Sequence, residues 1–159
     1  GFFKLFMNDV GLLAAMYMDG IQFKILSGDT SINSGSIYEN FVAQELKAHG
    51  FELHYFMSDE IGEVDFIVQL DGKSVPLEAK SGRHYKTHAA LDRLLGNEGY
   101  GIRRSIVLSD YNVSYEKGID YLPIYMVMFL EHDRLPTDAT YVLPSLDMTV
   151  SPHFKGNKA

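Results

Sequence analysis

The 159-residue sequence contains no cysteine. This absence excludes a disulfide framework, a thiolate metal site and a cysteine nucleophile. It fits a reducing compartment, and we expect the protein to act in the cytoplasm. Long apolar runs are also missing, because the longest nearly apolar segment, Leu122 to Leu130, is far too short to span a bilayer. No segment near the N-terminus has the basic, apolar and small-residue order of a signal peptide, so we expect no membrane association.

Sequence motifs that mark several other enzyme classes are absent as well. No Gly-x-Ser-x-Gly elbow occurs, so no serine nucleophile of that kind is indicated. Residues 72–74 (Gly-Lys-Ser) resemble the end of a phosphate-binding loop, but Ile67 stands where the leading glycine is required. We therefore do not expect this chain to bind ATP by itself. His84 and His88 lack a third zinc ligand at a familiar spacing, and we predict surface or phosphate-contacting histidines.

The chain as a whole has no excess of basic charge. Its formal net charge is −7 at pH 7, which argues against non-specific coating of nucleic acid. Residues 80–104 differ, because basic side chains outnumber acidic ones there. If the fold gathers these side chains, they would bind a phosphate backbone; otherwise they form a solvated basic face, and the sequence favours neither interpretation. The candidate DNA-binding residues are Arg83, Lys86, Arg93, Arg103 and Arg104.

The apolar content of 46% is enough for one compact domain with a substantial core. We expect an N-terminal strand, helix and loop packed on the domain (residues 1–34), an α/β core (residues 35–130) and an irregular tail broken by prolines (residues 131–159). The chain begins at Gly1 without an initiator methionine, so we expect a piece of a longer protein.

Apolar periodicity predicts alternating strands and helices. A strand at residues 4–7 leads to Asp9, which caps a helix at residues 10–18 whose apolar stripe is typical of a core helix. The order strand, helix, strand after a predicted hairpin indicates at least one parallel crossover, so we expect the α/β class with a mixed sheet flanked by helices. The other predicted elements are helices at 36–49, 86–95 and 123–130 and strands at 51–57, 105–109 and 118–121.

The most informative stretch covers residues 63–82 and reads EVDFIVQLDGKSVPLEAKSG. Two alternating apolar runs, residues 64–70 and 75–79, flank the turn signal Asp71-Gly72 and predict a β-hairpin. Charged groups inside such strands are costly unless something pairs with them. We therefore expect the charged residues of this hairpin to have binding partners.

A metal site explains the charged residues of the hairpin. Asp65 lies in the first strand, while Glu78 and Lys80 share one face near the end of the second. Oxygen ligands select hard cations such as Mg²⁺ or Mn²⁺, and the Ala79 carbonyl is a further candidate ligand. Lys80 could orient the attacking water or help to deprotonate it, which indicates hydrolysis of a phosphodiester. A plain cluster of salt bridges is the alternative.

A glutamate on the preceding helix is a further candidate metal ligand. Glu39 lies at the edge of the apolar face of the helix at residues 36–49, where its carboxylate could reach a metal held by the hairpin. The alternative is an ordinary boundary residue bonded to a backbone amide or an arginine, which the helix by itself favours. Asp59, Glu60 and Glu63 are predicted to be solvated charges of a turn.

The pattern of these residues resembles that of the PD-(D/E)XK nuclease superfamily, which has a restriction-endonuclease-like fold. The resemblance covers roughly residues 35–108, and this segment is particularly similar to archaeal Holliday-junction resolvases. It departs from the usual pattern at Val64, where proline is usual. It implies an endodeoxyribonuclease that uses Mg²⁺ or Mn²⁺ and acts on DNA, including branched DNA. The catalytic residues that it implies are Glu39, Asp65, Glu78 and Lys80.

A second resemblance extends over most of the chain. The phrases KLFMNDVGLLAA, GSIYENFVAQEL, GEVDFIV and PLEAKSG are similar to the uncharacterised C-terminal domain that follows a P-loop AAA-type ATPase module in many bacterial and archaeal proteins. This resemblance implies an upstream ATPase module in the same polypeptide. The alternative function is then a catalytically silent nuclease-fold module that binds DNA or a protein partner and regulates the ATPase.

Overall fold

The computed structural model describes residues 3–17, 20–29 and 34–133. The helices are α1 (Val10–Met16), α2 (Ile21–Leu26), α3 (Gly35–Ala48) and α4 (Ala89–Gly96), with 3₁₀ turns at Glu98–Tyr100 and Ile124–Phe129. The strands are β1 (His54–Ser58), β2 (Gly62–Leu70), β3 (Lys73–Ala79), β4 (Ser105–Ser109), β5 (Ser114–Glu116) and β6 (Ile119–Pro123). No helix in these ranges has the length and apolar character needed to cross a membrane.

The strands form one mixed sheet in the order β1-β2-β3-β4-β6-β5. Strands β1, β2 and β3 are an antiparallel meander, whereas β4 runs parallel to β3 and to β6. The connection from β3 to β4 contains α4, because parallel neighbours require a crossover that returns the chain to the same end of the sheet. The predicted α/β class, with a mixed sheet flanked by helices, is confirmed.

Each face of the sheet is covered by one apolar cluster. On one face, Val42 and Leu46 of α3 pack with Phe66 and Leu77, and all four side chains are buried. On the other face, α4 packs against the sheet through a second buried cluster that includes Val107. Side chains alternate along β3, so Glu78 points away from the α3 layer that Leu77 enters.

The hairpin between β2 and β3 turns at the predicted Asp71-Gly72. Both residues have positive φ angles, 53° and 70°, as a two-residue turn with right-handed strand twist requires. The Asp133 carboxylate accepts hydrogen bonds from the amides of Asp71 and Gly72, at 2.8 and 2.7 Å. A residue far along the sequence therefore fixes this end of the hairpin.

Both edges of the sheet are irregular. At one edge, the pairing of β1 with β2 shifts register between His54 and Phe56. At the other edge, β5 has only three residues, all of them exposed, and is followed by Lys117 with a φ of 50°. Neither edge therefore offers a long regular row of backbone hydrogen-bonding groups.

The N-terminal region differs most from its prediction. Asp9 does cap α1, accepting a hydrogen bond from the Leu12 amide at 2.7 Å. The predicted strand at residues 4–7 is wrong, because this segment bonds to side chains of α3 rather than to a strand. The prediction of a core helix is also wrong, since α1 has no buried residue. Helix α2 was not predicted, and the tail beyond residue 133 lies outside the described residues.

Candidate functional site

Asp65 and Glu78 lie where β2 and β3 separate. The backbone pairing between these strands ends with Phe66 opposite Leu77. Beyond that pair, the Asp65 side chain replaces the ladder, because its Oδ2 accepts a hydrogen bond from the Ala79 amide at 3.0 Å. This bond holds the carboxylate of one strand against the strand that carries Glu78.

Glu78 and Lys80 form an ion pair at the carboxyl end of β3. Lys80 Nζ lies 2.6 Å from Glu78 Oε2, and the Glu78 side chain is only 3% exposed. The Lys80 amide bonds to the Leu108 carbonyl at 2.8 Å, which continues the pairing of β3 with β4. Within the described part of the chain, Glu78 Oε2 has no partner other than the Lys80 ammonium, and a carboxylate oxygen can accept a second positive ligand.

Burial raises the pKa of Glu78, and this upward effect outweighs the hydrogen bond and charge of Lys80, which act in the opposite direction. The nearby Asp65 carboxylate adds to the rise, because two neighbouring negative charges repel. Folding therefore places an ionised carboxylate at this position at a cost in stability. Functional sites commonly retain such costly groups.

Glu78→Gln is expected to change how stability depends on pH in metal-free buffer. The folded-state pKa of Glu78 is raised above 4.5, so the folded chain retains a proton that the unfolded chain has lost. Stability falls as pH rises through this window. Urea unfolding between pH 4 and 8 should show the variant gaining stability relative to wild type as pH increases. Parallel profiles for the two proteins would contradict this expectation.

A second group of charges surrounds Lys4. Its ammonium lies 2.5 Å from Glu63 Oε1 and 3.4 Å from both Glu39 Oε2 and Asp65 Oδ1. Burial lowers the pKa of Lys4, but the hydrogen bond to Glu63 and the charges of Asp65 and Glu39 more than offset this, so its pKa is raised. We call Lys4, Glu39, Glu63 and Asp65 the Lys4 cluster.

The Lys4 cluster places two of the predicted residues together and corrects a third prediction. Glu39 on α3 and Asp65 on β2 bind the same ammonium, and burial followed by repulsion from Asp65 raises the pKa of Glu39. Glu63 was predicted to be a solvated turn charge; its side chain is 42% exposed, but it lies in β2 rather than in a turn and pairs with Lys4. Asp65 belongs to both groups of charges, because its Oδ2 bonds to the amide of Ala79, the residue next to Glu78.

The N-terminal segment, residues 3–10, is attached to α3 by side chains that sequence analysis missed. Asn40 is 2% exposed; its Oδ1 accepts from the Met7 amide at 2.7 Å and its Nδ2 donates to the Met7 carbonyl at 3.1 Å. The Phe6 ring packs on Phe66 with 5.6 Å between centroids. The residue pattern of α3 did not indicate that Asn40 is buried; once buried, its amide requires partners.

A family model described as Domain of unknown function (DUF4143) matches residues 34–127, more than half of the chain. The chain belongs to this family. No curated protein and no solved structure matches it significantly.

The region matched by DUF4143 runs from α3 to the 3₁₀ turn after β6. It contains Glu39, Asp65, Glu78 and Lys80 but not Lys4. The description of DUF4143 assigns no activity.

The acidic side chains of this site determine which metal ion it suits. Across residues 3–17, 20–29 and 34–133, no three acidic or histidine side chains are arranged to hold a metal ion. Mg²⁺ needs only one or two carboxylates, because water and substrate oxygens complete its coordination. Asp65 and Glu78 meet that requirement, and the spare acceptor capacity of Glu78 Oε2 fits a cation. The residues therefore fit a hard divalent ion.

The candidate DNA-binding residues are not gathered on one surface. Arg83 and Lys86 are exposed and follow Lys80, and Lys86 pairs with Glu116 at 2.9 Å. Residues 103 and 104 precede β4, which runs parallel to β3, so they lie about 16–20 Å along the sheet from the Lys80 end. Arg104 pairs with Asp120 at 2.7 Å, and Arg93 donates a hydrogen bond to the Ile61 carbonyl at 2.9 Å.

The prediction for the two histidines is half wrong. His84 is exposed, but His88 is only 7% exposed and its Nε2 lies 2.7 Å from the Tyr121 hydroxyl. Its Nδ1 lies 3.2 Å from Asp92 Oδ1. His88 therefore anchors the segment that follows Lys80 to β6, which sequence spacing could not indicate because Tyr121 is distant along the chain.

Proposed function

We propose that this chain is a nuclease domain that hydrolyses DNA phosphodiesters with Mg²⁺ or Mn²⁺. The single observation that carries the proposal is that Asp65 bonds to the Ala79 amide, between Glu78 and Lys80, which pair with each other where β2 and β3 separate. The element order α3, β1, β2, β3, α4, β4 supports a restriction-endonuclease-like fold of the PD-(D/E)XK type. DNA, including branched DNA, is the proposed substrate.

Each residue of the site would have a separate role in hydrolysis. Asp65 and Glu78 would hold the metal together with the Ala79 carbonyl, while Glu39, which lies on the α3 side of the sheet, would reach it through a bound water. When bound, the metal offsets negative charge on the phosphate and lowers the pKa of water. Lys80 donates to the attacking water or, once neutral, accepts its proton. Arg83 and Lys86 follow Lys80 and would contact the phosphates on either side of the cleaved bond.

The test is cleavage of supercoiled, four-way-junction and single-stranded DNA by the full chain with Mg²⁺ or Mn²⁺. Cleavage that requires the metal and disappears in Asp65→Asn is expected. Crystals soaked in Mn²⁺ should show anomalous density between the side chains of Asp65 and Glu78. Asp59→Asn serves as a matched control, because Asp59 is an exposed turn residue. No cleavage and no metal density under all these conditions would reject the nuclease.

A second function is favoured by the position of Lys4. Its ammonium pairs with Asp65 and Glu39, two of the proposed metal ligands, and could neutralise them permanently. The chain would then be a catalytically silent module that binds DNA or a protein partner and regulates a P-loop ATPase module upstream in the same polypeptide. DNA binding without cleavage, together with an ATPase rate that changes when this domain is deleted from the longer protein, would support this alternative.

A further inference from the structure

The two carboxylate oxygens of Asp65 have different partners. Oδ2 accepts the Ala79 amide at 3.0 Å, so it is committed to β3. Oδ1 lies 3.4 Å from Lys4 Nζ. Oδ1 is therefore the oxygen better placed for a cation, and the Lys4 ammonium already contacts it.

Lys4 pairs with all three carboxylates of the Lys4 cluster and not only with Asp65. One ammonium contacts the carboxylates of Glu39, Glu63 and Asp65, and the Lys4 side chain is only 19% exposed. Three carboxylates around one ammonium leave an excess of negative charge, which attracts a further cation. A divalent ion on Asp65 Oδ1 would lie close to the ammonium and repel it strongly, so the two cations compete.

The attachment of the N-terminal segment makes this competition intramolecular. The Asn40 amide binds both backbone groups of Met7, and Phe6 packs on Phe66, the residue next to Asp65 in β2. Tethering in this way keeps the local concentration of the Lys4 ammonium high, in the manner of a linked second binding module. The contact is therefore a built feature of the fold rather than a chance surface pair.

We infer that Lys4 is an autoinhibitory cation, which a divalent metal must displace from Asp65 and Glu39 before it can bind. This inference rests on the proposed function, because it concerns the same metal site. Displacement frees Lys4 from the cluster, while the hydrogen bonds between Asn40 and Met7 still hold the N-terminal segment on α3. Metal affinity is consequently set by residues of the N-terminal segment as well as by the carboxylates.

The test is calorimetric titration of Mn²⁺ into the full chain and its variants. Lys4→Met should bind Mn²⁺ at least about 10-fold more tightly than wild type, because the competing charge is gone while the carboxylates remain. Lys4→Arg keeps the charge and should stay within about 3-fold of wild type. Lys47→Met is the matched control, since Lys47 pairs with Glu52 at 3.2 Å on the surface, and it should leave the affinity unchanged.

The outcomes separate this inference from the nuclease proposal. Binding of Mn²⁺ that depends on Asp65, with equal or weaker affinity in Lys4→Met, would overturn autoinhibition and leave the metal site intact. No Mn²⁺ binding to either wild type or a folded Lys4→Met would overturn both. Binding to Lys4→Met alone would support the inference most directly. Urea unfolding of each variant establishes that it is folded.

Discussion

Replacing Lys80 by methionine is expected to slow metal-dependent DNA cleavage by about 100-fold or more, the usual contribution of a positioned proton-handling group. Methionine keeps most of the length of the side chain but cannot donate to water or to Glu78. Lys80 Nζ now lies 2.6 Å from Glu78 Oε2. The cleavage rate should be measured at saturating Mn²⁺, so that a change in metal affinity does not contribute.

A separate readout distinguishes a chemical role for Lys80 from a structural one. Lys80→Met should still bind Mn²⁺, because Asp65 and Glu78 remain, and a residue that only neutralises Glu78 would show altered binding instead. Lys47→Met removes an exposed ion pair and is expected to cleave at the wild-type rate. Wild-type cleavage by Lys80→Met would remove Lys80 from the mechanism. Loss of Mn²⁺ binding together with cleavage would indicate a supporting role.

Replacing Phe66 by alanine is expected to lower the free energy of unfolding by about 3–5 kcal/mol, the usual cost of removing a buried phenyl ring. Phe66 is 1% exposed and packs between the sheet and α3. It also carries the ring contact with Phe6. Because a domain of this size has a total stability of about 5–15 kcal/mol, the variant should be only marginally stable. Urea unfolding followed by circular dichroism measures the change.

Phe129 provides the control for Phe66. Its side chain is 67% exposed, so Phe129→Ala should change the free energy of unfolding by less than about 0.5 kcal/mol. A cost for Phe66→Ala that is as small as the control would mean that this face of the sheet is not packed as described. The opposite result, a large cost for Phe129→Ala, would mean that its exposed ring is covered in solution.

The central hairpin could be predicted because its signals are local. Alternating apolar residues and the Asp71-Gly72 turn determine β2 and β3 without reference to the rest of the chain. The same holds for β4, whose short apolar run gave its exact bounds, residues 105–109. The placement of Asp65, Glu78 and Lys80 near one another followed from strand alternation and hairpin pairing alone.

Contacts between distant parts of the chain could not be predicted. Lys4 and Glu63 are far apart in sequence, and nothing in their local patterns indicates that they meet. The pairing of His88 with Tyr121 was missed for the same reason. Helix α1 was predicted to be a core helix but has no buried residue. An apolar stripe shows that a helix is amphipathic, but it does not show that the rest of the domain covers that stripe.

The irregular edges of the sheet have a consequence for behaviour at high concentration. Regular edge strands are templates for another chain, and they lead to fibrils or swapped dimers. Here β1 shifts register, and β5 is three residues long and ends in Glu116, beside Lys117. Recruitment of a second molecule through either edge is therefore disfavoured, and the protein should resist β-type aggregation even when crowded.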